Sequence, residues 1–275
     1  GSILKTFGYL TALENGFNPA SIIMDEEIVL DQGPDVPPYR PKNYSGKFFG
    51  PVTLRRGLEK SINVTTVRLA SEIGIDKVAD TITKFGINNN PKPIYSLVLG
   101  STETNLIKLV SAYSSIASGG KKVTPNLIDK IQDRHGKTIF KKDSRTCSKC
   151  LIDKEINLDN PIIFPILEDD REDITSPEVA YQTISILRGV VERGTAIRAK
   201  WLKKNLAGKT GTTNSSFDSW FVGFSPNLVV GVYAGFDSPS TLGKKETGSS
   251  IALPIFIKFM YKALKNEPAK PFPIP

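Results

Sequence analysis

Apolar residues in the first half of the chain recur at three- and four-residue spacing. Ile3, Phe7, Leu10 and Leu13 share one face, and Leu4 and Tyr9 widen it, which predicts a helix over 2–15 stopped by Gly16. So broad an apolar arc predicts a buried helix. The stretch that follows, with Gly33-Pro34, Pro37-Pro38 and Pro41, reads as irregular. Thr53 is placed to cap a helix from Leu54 to about Lys60. A second helix is predicted from about Asn63, with Val64, Val67 and Ala70 on one face, to a stop at Gly74. Further helices are expected over 76–85 and 104–118, the latter closed by Gly119-Gly120.

From Lys121 the period shortens. Residues 127–132 and 138–141 read as a hairpin around Asp133 to Gly136. Residues 143–176 hold both cysteines, two prolines and the acidic run Glu168 to Asp173, and read as an inserted loop. Helix returns from Pro177 to Glu192, where Ser176 and a first-turn proline make the start signal. Strands are predicted over 206–213, 219–224 and 228–236; Pro254 then opens a last helix to Leu264, and 265–275 is a proline-rich tail. Helices followed by a run of strands indicate an α+β fold, a helical body between chain ends that build the sheet.

Composition narrows the possibilities. With 275 residues, 39% hydrophobic and 23% charged, the chain is long and apolar enough for one large domain or two lobes sharing a cleft, which excludes disorder. The longest mostly apolar stretch, Leu228 to Phe236, is broken by two glycines and falls far short of the ~20 residues of a membrane helix. No signal peptide is visible at the start, so the expectation is a cytosolic chain or an excised piece of something longer. The net charge of +8 permits an anionic partner, but the basic residues lie in scattered short pairs without interleaved aromatics. A solvated surface is the favoured reading, and no nucleic-acid partner is expected.

The lone histidine, His135, sits in the predicted hairpin turn, and Cys147 and Cys150 form an isolated pair without two further zinc ligands. A local disulfide or two idle thiols are the readings open for them, and no metal site is expected. Any activated nucleophile therefore needs a proton acceptor other than histidine.

Three polar clusters supply candidates. Ser2 and Lys5 are three apart at the start of the apolar helix, so hydroxyl and amine can meet on one face, and burial favours the neutral, basic amine. Ser61 and Asn63 flank a helix junction where both side chains can enter one cleft; the plainer reading is that Asn63 caps the next helix. Gly208-Lys209-Thr210-Gly211-Thr212-Thr213 is no phosphate loop, because position 203 is lysine and strand-forming residues follow. As a strand edge, its Gly211 would let an extended peptide pair closely, Lys209 offers a cation, and the threonine hydroxyls suit a carboxylate.

Ser-x-x-Lys, Ser-x-Asn and Lys-Thr-Gly in this order form the signature of penicillin-recognising serine enzymes. Gly1-Ser2-x-x-Lys5-x-Phe7, Leu54-Arg55-Arg56, Val190 to Thr195 and Trp220 to Phe224 also resemble the transpeptidase domain of class A penicillin-binding proteins. The resemblance covers nearly the whole chain apart from 143–176. Thr6 departs from it, standing where the family usually has proline.

The resemblance implies a single transpeptidase domain over 1–275 with the fold shared by penicillin-binding proteins and serine β-lactamases: an antiparallel sheet packed with helices, plus an all-helical lobe. Two family strands precede the nucleophile, so three of the usual five are expected here. It implies a D,D-transpeptidase in which Ser2 attacks a D-Ala-D-Ala stem peptide with Lys5 as base. Ser61, near Lys5 and Lys209, relays a proton to the leaving amine, and Asn63 binds the donor peptide. Lys209, Thr210 and Thr212 face its carboxylate beside Gly211, and the N–H groups of Ser2 and Thr212 form an oxyanion hole. No cofactor is implied. The implied partners are peptidoglycan stem peptides and β-lactams, at the periplasmic face of a bacterial inner membrane, with the membrane reached only through an upstream anchor. The alternatives are a serine β-lactamase, for which no glutamate stands in the right context, and a penicillin-sensing module that acylates without transfer.

Overall fold

In the computed structural model, Ser2–Leu4 form one 3-10 turn that runs into α1 (Lys5–Glu14), and every residue from Ile3 to Leu13 is buried. The structure describes residues 1–34, 37–143, 145, 167, 169–213 and 216–275. These fall into two compact units, residues 1–123 with 173–275, and residues 124–172. Cys147, Cys150 and most of the inserted loop lie outside the described residues.

The wide apolar arc of α1 has neighbours on every side. Phe7 meets Phe85 and Tyr113 edge-on at ring distances of 5.2 and 5.6 Å, and α3 (Asn63–Ile73), α4 (Ile75–Lys84) and α6 (Pro177–Glu192) pack around the helix. Its buried hydroxyls are satisfied, as burial demands. Thr11 donates to the Phe7 carbonyl and meets Thr81. The Tyr113 hydroxyl donates its one hydrogen to the Ile3 carbonyl at 2.9 Å, so Thr6 donates to Tyr113 at 2.7 Å. Tyr113, held by Thr6, thus ties the turn holding Ser2 to a distant helix.

Next come α2 (Leu54–Glu59), α3 (Asn63–Ile73), α4 (Ile75–Lys84) and α5 (Leu106–Ala117). The Thr53 hydroxyl accepts from the Arg56 N–H, as the sequence predicts, and Ser176 does the same for α6 (Pro177–Glu192). The sheet is β5 (Ala207–Thr212), β6 (Asp218–Ser225) and β7 (Leu228–Gly235), antiparallel in that order, with Gly211 opposite Trp220. These strands lie wholly in the C-terminal part, so the expectation that both chain ends build the sheet is corrected. Ser2–Leu4 instead pack on β5 as a 3-10 turn. Helices α5 and α7 (Ala252–Ala263) pack on β6 and β7, and α6 on β5.

Two segments depart from their sequence reading. The stretch read as irregular contains a ribbon of β1 (Ile22–Asp25) and β2 (Gly50–Thr53). Its alternation was hidden because Asp25, a fully buried carboxylate, occupies an inward position and Pro51 interrupts the partner. The proline-rich tail is anchored: Phe272 is buried against Phe224, and the Asn205 amide holds the Ala269 and Lys270 carbonyls. In the smaller unit, β3 (Lys130–Gln132) pairs with β4 (Thr138–Lys141). Their turn is closed by the Asp133 carboxylate, which accepts from the His135 and Lys137 N–H groups, so His135 is a turn residue; β3 begins at Lys130, later than predicted. Among the described residues no helix is long and apolar enough to cross a membrane.

Candidate active site

Lys5, in the first turn of a buried helix, has no exposed surface. Its Nζ donates to the Ser61 carbonyl at 2.7 Å and to Asn63 Oδ1 at 2.6 Å, and lies 3.3 Å from Ser61 Oγ. Lys209 is equally buried and donates to Ser61 Oγ at 2.8 Å and to the Thr210 carbonyl at 3.0 Å. One serine hydroxyl therefore lies between two amines. Burial, and secondarily the neighbouring Lys209, holds Lys5 well below the usual lysine range; burial pulls Lys209 down to about 7. Ser2 lines the adjacent cleft, and its hydroxyl makes no hydrogen bond among the described residues. The expected meeting of Ser2 and Lys5 is thus limited to helical neighbourhood, with the amine drawn towards Ser61 and Asn63.

Ser61 owes its position to the way α2 ends. The Ile62 N–H reaches the Gly57 carbonyl at 2.9 Å and the Ser61 N–H reaches Leu58 at 3.1 Å. This paired closure needs a left-handed residue, usually glycine, after the helix. Ser61 fills it with φ +56°, accepting backbone strain in exchange for a hydroxyl at that point.

The capping role considered for Asn63 falls to another residue. Ile62 is the cap position of α3, and Asn43 Oδ1, from a distant loop, accepts from the Asn63 and Val64 N–H groups at 3.0 Å each. Asn63 is free of that duty because its own amide is engaged, accepting from Lys5 and donating to the Lys42 carbonyl. Asn43 is held in turn by Asp25, both of whose oxygens lie 2.9 Å from its Nδ2.

On β5, Thr210 and Thr212 line the cleft and Lys209 reaches it only through Ser61. Thr212 Oγ1 accepts from the Gly248 N–H, and Thr210 Oγ1 meets Thr195 Oγ1 at 2.8 Å. Packing gives a second reason for Gly211: a Cβ there would lie 2.7 Å from Ile3 and 3.0 Å from Trp220. The sequence reading also missed a clamp. Glu59, 5% exposed at its side chain, takes Arg193 in a two-point ion pair at 2.6 and 2.9 Å. Gly189 and Gly194 lie so close to Glu59 that any side chain would collide with it. The clamp joins the end of α2, and so Ser61, to the turn carrying Thr195. Its only sequence signal is the run Glu192-Arg193-Gly194-Thr195, whose partner is far away in the chain.

The cleft encloses about 440 Å³ and its described lining carries hydroxyls, amides and the Lys60 amine but no carboxylate. Such a site can deprotonate a hydroxyl and pass protons along a short path. It also couples stability to pH. Between about pH 7 and 10.5 the unfolded chain holds a proton at Lys209 that the folded chain lacks, so stability rises with pH across that window. The denaturation midpoint is expected to climb over this range, and a Lys209→Met protein to show a shallower slope. Equal slopes would refute the depressed pKa.

The penicillin-binding protein transpeptidase domain family matches residues 1–261. Penicillin-binding protein 1A of Rickettsia bellii is 51% identical over 278 residues, covering 100% of this chain and 34% of its own length. The protein of the same name from Pseudomonas aeruginosa is 36% identical over 98% of this chain and 36% of its own. The crystal structure of penicillin-binding protein 1A from Haemophilus influenzae superposes with a TM-score of 0.85 at 31% identity, covering 100% of this chain and 43% of that one. The chain spans about a third of the length of these sequence relatives.

Proposed function

The chain belongs to the penicillin-binding protein transpeptidase domain family, and we propose that it carries the acyl-transfer site of a peptidoglycan D,D-transpeptidase acting outside the cytoplasm. The observation that carries this reading is the hydrogen bonding of Lys5. Two carbonyl oxygens at 2.7 and 2.6 Å take two N–H groups, so the neutral amine that burial favours keeps its lone pair for a hydroxyl proton.

Ser2 Oγ gives its proton to Lys5 as it attacks the D-Ala-D-Ala carbonyl carbon. The N–H groups of Ser2 and Thr212, two residues that line the cleft, hold the oxyanion. When the C–N bond breaks, Ser61 Oγ gives its proton to the leaving D-alanine nitrogen and is refilled from Lys5. Lys209 fixes the Ser61 oxygen, and an arriving substrate carboxylate favours its charged form. Thr210 and Thr212 receive that carboxylate, and Asn63, with one amide hydrogen to spare, meets the donor peptide. An acceptor amine then resolves the ester. The chemistry uses this chain's own groups throughout.

A β-lactamase needs a group that activates water against the ester, commonly a carboxylate. The described cleft lining offers none, which favours a long-lived acyl-enzyme. Intact mass after incubation with a penicillin tests the reading: one adduct persisting for many minutes is expected, together with transfer of a labelled D-amino acid onto a stem peptide. Turnover within seconds would identify a lactamase, and acylation without transfer a sensor.

A further inference from the structure

We propose that Asp25, a buried carboxylate outside the cleft, is a positioning residue for acylation: acting through Asn43 and Lys42, it fixes which end of the Asn63 amide faces Lys5 and so keeps the amine's lone pair open to Ser2. This rests on the acyl-transfer reading and extends it to the residues that orient the base.

Asp25 is fully buried at the end of β1, does not line the cleft, and takes part in no ion pair among the described residues. A buried carboxylate is costly unless N–H groups meet it. Here Asn43 Nδ2 lies 2.9 Å from both its oxygens, and the Phe49 N–H donates at 2.9 Å. An ionised carboxylate differs from an amide of the same shape in one respect: it only accepts. Asn43 can therefore meet it with the NH2 end alone. The second hydrogen of that group goes to the Lys47 carbonyl at 3.0 Å, another partner that only accepts. Asn43 Oδ1 is left pointing the other way, where it takes the Asn63 and Val64 N–H groups and caps α3.

The same segment settles the second amide. Lys42, the residue before Asn43, presents its carbonyl to Asn63 Nδ2 at 2.8 Å. A carbonyl is met only by the NH2 end, so Asn63 Oδ1 faces Lys5 Nζ at 2.6 Å. The opposite orientation would turn Nδ2 towards the amine. An N–H group there would donate into the lone pair that has to receive the Ser2 proton, and the Lys5 hydrogen held by Oδ1 would lose its acceptor. Two amide orientations in series thus start from one carboxylate.

Asp25→Asn keeps the shape and removes the accept-only character, because its own NH2 group then faces Asn43 or the Phe49 N–H. Acylation by a penicillin is measured as a limiting rate and a half-saturating concentration, beside the thermal midpoint, for wild type, Asp25→Asn, Asn63→Ala and the double variant. Asp25→Asn is expected to lower the limiting rate by ~10- to 100-fold, the scale of a misaligned reacting group. The half-saturating concentration should stay within about threefold of wild type, because β5 still receives the carboxylate. An unchanged limiting rate overturns the proposal. In the Asn63→Ala protein no amide is left to orient. Adding Asp25→Asn there should change the limiting rate by less than about twofold, yet lower the midpoint as it does alone. Losses that multiply instead would make Asp25 a general structural residue and overturn the proposal.

Two controls complete the test. Exchanging the side chains, Asp25→Asn with Asn43→Asp, again pairs one carboxylate with one amide and gives α3 an acidic cap. That protein should fold and recover acylation to within about threefold of wild type. If it folds but acylates as slowly as Asp25→Asn, the proposal fails; if Asp25→Asn does not fold, the exchanged protein decides. The second control needs no acylation. Hydrogen exchange at the Asn63 side-chain amide, assigned by its absence in Asn63→Ala, should be ~10-fold faster or more in Asp25→Asn. Unchanged exchange overturns the orienting role. A wild type that never acylates overturns the acyl-transfer reading, and the exchange rates then decide whether Asp25 orients the amide.

Discussion

Ser2→Ala is expected to abolish the penicillin adduct entirely, and Lys5→Arg to slow acylation by ~10²–10⁴-fold while the protein still folds, the range expected when a general base is lost. Arginine is the informative replacement. It can still donate to the Ser61 carbonyl and to Asn63 Oδ1, the two partners of Lys5, so the turn between α2 and α3 keeps its anchor. It cannot be neutral near pH 7 and has no lone pair to accept a proton. A lysine acting only as a tether would be replaced with little loss. Lys5→Met is the complement: it preserves apolar volume but strands two carbonyl acceptors, each at a cost of ~1–3 kcal/mol where burial is complete. Slow acylation in both, with normal circular dichroism only in the arginine protein, separates basicity from structure. Near-wild-type acylation by the arginine protein would remove Lys5 from the base role.

The same residues mark how far the sequence could be read. The caps of α2 and α6 were legible because Thr53 and Ser176 act on N–H groups three residues on. Lys5, Ser61 and Lys209 were legible as candidates because their clusters carry recognisable chemistry. Their contacts were not. The amine of Lys5 faces residues from the next helix junction, and a helical wheel cannot choose between those and Ser2. The cap of α3 comes from Asn43, twenty residues upstream of Asn63, and the anchor of Asn43 comes from Asp25, within a ribbon read as irregular. Glu59 and Arg193 are separated by more than a hundred residues. Each missed feature is a polar group whose partner lies on another element. Periodicity registers which positions are buried along one element, and it is silent about which buried polar groups find each other.

Ser61 concentrates the conflict between local stability and the site. Its hydroxyl accepts from Lys209 and lies near Lys5, while its backbone adopts a left-handed conformation that glycine takes without penalty. Ser61→Ala and Ser61→Gly remove the same hydroxyl and leave the same two amines short of a partner, so both are expected to lose ~10²–10⁴-fold in acyl transfer. They should differ in stability. Alanine keeps a Cβ in the left-handed region at a cost of ~1–2 kcal/mol, and glycine relieves it at the expense of greater freedom in the unfolded chain. The glycine protein should therefore be the more stable of the pair by about 1 kcal/mol, or roughly 2–4 °C in midpoint temperature for a chain of this size. Thermal unfolding of the two proteins side by side decides it. Equal midpoints would mean that the turn relaxes around alanine and that no strain is held at this position. A retained transfer rate in either protein would remove the hydroxyl from the proton path.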